Sequence, residues 1–283
     1  MNLAIDTLEE KKLYKFRSIP RDSVNPGIPK KNKLHYIERI FTECELHFPS
    51  PTELNDPFES RLNLVVGDLR NGDYKRKYKQ YVKRIILQSN PIVDLSTIDH
   101  WLSNQSKEEA ENLAKQYTES YREWLSKYRI CSFSATPKNP LLWSHYSDSH
   151  KGFCLIFDAG TDIFGSALKV DYCDEYPKLD VTEEDSVQIL IHSALKKYAD
   201  WQYEQEYRLI SVEPNEPNLL PVANKTYRFH PDLLIGIIFG SQISGSDREL
   251  LIDFCKKSRS PIDFKKARLS DTKYELEVVD YAI

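Results

Sequence analysis

The chain has 283 residues, a formal net charge of −4 and a pI near 6.0, which excludes the strongly basic face that wholesale nucleic-acid binding needs. Hydrophobic residues make up 40% and aromatic residues 12%, so a folded core forms despite a mean hydropathy of −0.55, and a disordered chain is excluded. Five cysteines, odd in number and without a CxxC pair, exclude a disulfide framework or zinc ribbon and fit a reducing compartment. The first residues, MNLAIDTLEEKK, carry acids where a signal peptide needs an apolar run, and no segment has the eighteen or so apolar residues of a membrane span. A cytoplasmic protein with no membrane partner is expected.

In chain order, residues 13–16 read as a short strand ending at Arg17, and a linker containing Pro and Lys leads to a helix at 34–41. Residues 45–48 read as a strand stopped by Pro49, Ser50 and Pro51. The segment 54–59, LNDPFE, reads as a turn because Asn and Asp before Pro disfavour helix, with Phe58 as its anchor on the core. A partly buried strand at 61–66 follows. From about 72 to 127 Gly and Pro are scarce, and Lys, Glu, Gln and Tyr recur near a 3.6-residue period, which predicts a helical insertion. Strands resume at 129–134, 152–157 and 168–172, with a short helix at 140–146 behind Asn139 as its cap. A helix at 182–200, a strand at 204–212, an apolar strand at 234–239, a helix at 246–257 and closing strands at 262–266 and 274–279 complete the order. Strand runs interspersed with helices predict an α+β fold with a mixed, mainly antiparallel sheet, one domain over 1–283 with its insertion at about 72–127.

The stretch 139–158, NPLLWSHYSDSHKGFCLIFD, sets Trp143, His145, Tyr146, His150 and Lys151 directly before a core strand, the arrangement expected of a site held at a strand end. Trp143 and Tyr146 are three apart and share a helical face, either packing in the core or stacking on a ligand. For His145 and His150, a hydrogen-bonded structural role is the ordinary reading. Ser132 and Ser134 share one face of their strand without an identified base. Glu204, Glu206 and Arg208 fall at alternate positions of the expected strand and so share a face. They form either an ion-pair ladder on a solvated surface or a cleft in which Glu206 stabilises a cationic transition state. An Asx turn accounts for Asn55 and Asp56; metal binding is the rival reading, against which the segment lacks the ligand period of a calcium loop and a nearby His pair, and no metal ligand is assigned. Walker, GxGxxG, GxSxG and HExxH motifs are all missing from the sequence.

Taken together, LYKFRS at 13–18, FPSPTELNDPFE at 48–59, CSFS at 131–134, the 139–158 stretch and WQYEQEYRLI at 201–210 resemble the bacterial family catalogued as domain of unknown function 2971. The order of the groups is also similar to the Arg, Ser-x-Ser, Glu-x-Glu succession of ADP-ribosyltransferases that use NAD. That resemblance implies that Arg17 contacts the dinucleotide, that Ser132 and Ser134 support the pocket, and that Glu206, with Glu204 beside it, engages the nicotinamide ribose. It implies NAD as a substrate, and Trp143, His145, Tyr146, Lys151, Asn55 and Arg208 as residues shaping the pocket. Cys131 before the first Ser, the long insertion after Arg17 and Arg208 after the Glu pair depart from that pattern.

Three readings follow. In the first, the protein is an NAD-consuming transferase or glycohydrolase, a toxin or phage-defence effector with a protein or nucleic-acid acceptor. In the second, it is a non-catalytic nucleotide or nucleic-acid sensor in which Trp143, Tyr146 and Lys151 hold the ligand by stacking and charge. In the third, Asp56, Glu59, Glu204 and Glu206 serve a metal-dependent nuclease.

Overall fold

The structure is a computed structural model, and it describes residues 11–22, 31–160, 163–182, 192–212 and 220–283. The elements run β1 (Lys12–Arg17), α1 (Lys31–Thr42), β2 (Glu45–His47), β3 (Asn63–Val65), α2 (Gly72–Ser89), α3 (Leu95–Asn104), α4 (Lys107–Leu125), β4 (Tyr128–Ser134) and α5 (Pro140–Tyr146). They continue with β5 (Phe153–Asp158), β6 (Leu168–Lys169), β7 (Asp171–Cys173), β8 (Lys178–Asp180), β9 (Lys196–Tyr198) and β10 (Glu206–Val212). The last are β11 (Thr226–Arg228), β12 (Leu234–Phe239), α6 (Gly245–Lys256), β13 (Asp263–Leu269) and β14 (Leu276–Asp280). No helix among the described residues is long and apolar enough to cross a membrane.

The chain divides into two compact units, the first made of Met1–Glu53, Tyr128–Val170 and Asp200–Ile283 and the second of Leu54–Lys127 and Asp171–Ala199. The first unit is built on an eight-stranded sheet in the order β14-β13-β12-β5-β1-β4-β10-β6. Every pairing in it is antiparallel except β12 with β13, where α6 supplies the crossover that parallel neighbours need. The α+β class and the mainly antiparallel sheet agree with the sequence reading.

Central strands explain the sheet's two cores. In β5 the side chains alternate between faces, so Phe153, Leu155 and Phe157 join a large cluster with α1 residues Ile37, Ile40 and Phe41, while Cys154 and Ile156 join Tyr14 and Trp143 on the other side. Burial on both faces is why this strand reads as an unbroken apolar run. Two glycines allow the close packing at one end of these strands. A Cβ on Gly152 would lie 2.2 Å from the Arg17 carbonyl oxygen, and one on Gly240 would lie 2.1 Å from that of His150.

The second unit holds the expected helical insertion as α2, α3 and α4, with Val82, Ile98, Leu102 and Ala114 in its core. Asn71 caps α2 by accepting from the Asp73 and Tyr74 amides, and Asp94 caps α3 through Thr97. Two small parallel ladders, β3 with β8 and β7 with β9, complete it.

Several expectations need correction. The strand predicted at 168–172 divides at Val170 into β6 and β7. The helix predicted at 182–200 falls partly on residues outside the described set, and Lys196–Tyr198 is a strand instead. Phe58 does not anchor its turn in a core, since it is 60% exposed; Asp56 fixes the turn by accepting from the Phe58 amide at 2.8 Å.

Candidate functional site

The three strands that carry the Arg, Ser-x-Ser and Glu groups lie side by side, with β4 between β1 and β10. Register then fixes which side chains share a face. Glu206 sits opposite Ser134, Arg208 opposite Ser132, and Tyr14 opposite Ser134. Cross-strand partners project to the same side, so Glu206, Arg208, Ser132, Ser134 and Tyr14 share one face. Arg17, an odd number of residues from Tyr14 on the same strand, projects to the other. The expectation that Arg17 and Glu206 face one cleft is therefore corrected by strand alternation itself.

On the Glu206 face the central feature is a buried ion pair. Arg208 donates from Nε to Glu206 Oε1 at 2.7 Å and from Nη2 to Oε2 at 3.0 Å, with the two side chains 0% and 4% exposed. The bidentate fork satisfies both carboxylate oxygens. Such a pair is not the solvated ladder that the alternation suggested. Glu204 is also misplaced by that pattern, because it ends a 3-10 turn (Ala199–Glu204), and Gln205 takes φ 46° before β10 begins. Its carboxylate is nonetheless buried and accepts from the Tyr146 hydroxyl at 2.6 Å. Ser134 Oγ donates to the Glu204 carbonyl at 2.7 Å, which ties the turn to β4.

Helix α5 is laid on this face by its sequence. Asn139 caps it, accepting from the Leu141 amide at 2.9 Å, and its Nδ2 donates to the Tyr203 carbonyl at 3.0 Å. Trp143 is fully buried, edge-on to Phe16 at 5.1 Å, with its indole N–H donated to the Pro137 carbonyl. Its role as a ligand-stacking ring is thereby excluded, and it serves as the helix's anchor. His145 is exposed and Tyr146 half-buried one turn along.

His145 lies at the centre of an aromatic platform. Its ring is 6.3 Å from those of Tyr146, Trp201 and Tyr203, and Trp201 lies 5.9 Å from Tyr203. Trp201 and Tyr203 are half-buried. Neither ring is singled out by the sequence motif WQYEQEYRLI, where the available signal is a Trp and a Tyr two apart directly before the Glu204 and Glu206 pair.

Beyond α5 the chain passes through three consecutive left-handed residues without a glycine, Asp148, Ser149 and His150, at φ 49°, 52° and 67°. Each such residue is strained. Backbone bonds hold the turn, including His150 N–H to the Trp143 carbonyl at 3.1 Å and Gly152 N–H to that of Ser147 at 2.8 Å. The His150 ring stacks parallel to Trp143, its Nδ1 is buried without a hydrogen-bond partner, and burial lowers its pKa. Its packing against Trp143 gives it a structural role. Lys151 is exposed on the same turn.

On the opposite face Lys15 and Arg17 extend among apolar groups. Lys15 donates to the Ser132 carbonyl at 2.8 Å and lies 5.0 Å over the Phe133 ring, and Arg17 Nε is buried without a partner. Desolvation lowers the pKa of both, with Cys131 nearby acting in the other direction. Asn55 belongs to the second unit, in the bend before Asp56. Among the described residues no three His, Cys, Asp or Glu side chains are grouped to hold a metal.

A family profile described as Protein of unknown function (DUF2971) matches residues 142–209, the segment from Leu142 on α5 to Leu209 on β10. The chain is similar to that family across the platform and the buried pair, and the resemblance drawn from the motifs is borne out there. No curated protein and no solved structure matches the chain.

Proposed function

We propose that this protein is a non-catalytic module that binds a nucleotide by stacking its base on the platform of His145, Tyr146, Trp201 and Tyr203. One observation carries the reading: three rings, those of Tyr146, Trp201 and Tyr203, are each centred 6.3 Å from the His145 ring and tilted to it by 33° to 65°, partly open to solvent, on a scaffold held by buried polar bonds. Stacking on such rings contributes about 1–3 kcal/mol per base and tolerates any base. The neighbouring carboxylates are engaged, Glu204 by Tyr146 and Glu206 by Arg208, which suits a binding surface better than a reacting centre. Thermal shift with NAD, AMP and short oligonucleotides tests it. A ligand at a hundredfold over its Kd should add about 2.7 kcal/mol of stability, and Trp201→Ala should remove the gain. If none of these compounds stabilises the protein, the reading fails.

The adjacency of β1, β4 and β10, with Glu206 opposite Ser134, favours a second reading, an NAD-consuming transferase or glycohydrolase. There Glu206 stabilises the oxocarbenium-like centre left by departing nicotinamide, after yielding one oxygen from Arg208. Nicotinamide release followed over time tests this, and equal rates for wild type and Glu206→Gln would exclude that role.

A further inference from the structure

The second unit contains a cavity of about 500 Å³, within the range of small-molecule pockets. Its lining comes from the ends of the two small parallel ladders and from the turn at 57–61, and includes Phe58, Arg61, Cys173, Tyr176, Lys196 and Tyr198. Three of these are large rings left in water: Phe58 is 60% exposed, Tyr198 47% and Tyr176 37%. The unit's own core closes around Tyr78, Val82 and Leu102 without them. Aromatic surface gathered at one concave place is surface that a ligand would cover.

Four cations line the cavity, Arg61, Lys178, Lys196 and Lys197, against two carboxylates, Asp174 and Glu175. Lys178 pairs with Glu175, Lys196 with Asp171, and Lys197 with Glu59 at 3.0 Å. Arg61 alone of the lining cations has no carboxylate partner among the described residues. Its guanidinium carbon lies 5.6 Å from the Phe58 ring centre and 5.9 Å from that of Tyr176, and its Nε donates to the Pro57 carbonyl at 3.0 Å. Stacking and that backbone bond orient the guanidinium and leave its terminal nitrogens for an anion, the fork geometry that fits a carboxylate or phosphate.

We infer that this cavity binds a planar aromatic anion, with the ring among Phe58, Tyr176 and Tyr198 and its carboxylate or phosphate on Arg61. The site is independent of the platform on the first unit, so either can fail without the other. The test is a fluorescence titration of the full chain with 8-anilinonaphthalene-1-sulfonate, an aromatic anion with a planar naphthalene ring, followed by displacement. Saturable binding is expected, weakened about tenfold by Arg61→Gln, the loss of one charge-assisted contact. Phe58→Ala, at an exposed position that leaves folding intact, should weaken it several-fold, whereas Trp201→Ala should leave it unchanged. Displacement by 1-naphthoate identifies a carboxylate ligand and displacement by AMP a phosphate one; either result supports the site. Equal binding by wild type and Arg61→Gln, loss of binding in Trp201→Ala, or displacement by 1-naphthalenemethanol as effective as by 1-naphthoate would overturn it.

Discussion

Among the described residues each unit has an ion pair with both side chains buried, and the two pairs are built differently. Glu206 and Arg208 are two residues apart on a single strand, joined by two bonds of a planar fork at 2.7 and 3.0 Å. Glu59 and Lys197 come from the two separate chain segments of the second unit and meet at 3.0 Å, with side chains 2% and 3% exposed. The first pair is local and stiffens a strand that already exists. The second spans the unit's discontinuity, so it reports whether the two segments have come together. Burial alone does not make either pair a net stabiliser, because desolvation offsets the attraction, but removing one partner leaves a bare charge in the interior.

Breaking the pairs separates these roles. Glu206→Gln should cost about 3–5 kcal/mol, since Arg208 cannot shed its proton, and a lowered urea midpoint checks it. Glu59→Gln should cost less, about 2–4 kcal/mol, because a buried lysine can go neutral; its distinguishing mark is faster proteolysis within 54–127 and 171–199 than elsewhere. Arg208→Lys keeps the charge and loses the fork, for an expected loss of about 1–3 kcal/mol in the same titration. Tyr146→Phe leaves Glu204 without its hydroxyl donor, about 1–2 kcal/mol, and should weaken nucleotide binding if the platform reading holds. An exposed pair marks the lower end. Glu53, held by Lys225 and by the Ser50 amide and hydroxyl, titrates at about 2 instead of 4.5, with its side chain 43% exposed. Its folded-state value is depressed, so its contribution is complete above pH 4.5 and disappears as pH falls through 2. Screening keeps that contribution below about 1 kcal/mol, to be read from acid titrations of wild type against Glu53→Gln.

What the sequence revealed follows from length and period. The strands β4, β5 and β12 and the helices α2 to α4 are long enough to stand out, β5 and β12 as unbroken apolar runs and the helices by their 3.6-residue period. Strands β8, β9 and β11 have three residues each, too few to show a period. Strand alternation placed Glu206 with Arg208 correctly but carried Glu204 along with them, because nothing in the letters Glu-Gln-Glu announces that Gln205 turns left-handed. The same rule, applied across strands, parts Arg17 from Glu206, and that step needs the register, which only pairing supplies. Trp143 was legible as a large ring at a key place, but whether it faces ligand or core depended on Phe16 beneath it. The cavity beside Arg61 had no signature, since its walls come from residues far apart in the chain.

The strand order carries a consequence for how the protein is made. Synthesised from its first residue, the chain delivers β1, β4 and β5 early, as the contiguous trio β5-β1-β4, and all of the second unit before residue 200. The trio's two flanks, awaiting β10 on one side and β12 on the other, stay open until those strands leave the ribosome. One of those flanks is the apolar β5, an unpaired edge of the kind that invites aggregation. Slow translation after residue 200 should therefore be more harmful to this protein than slow translation before it.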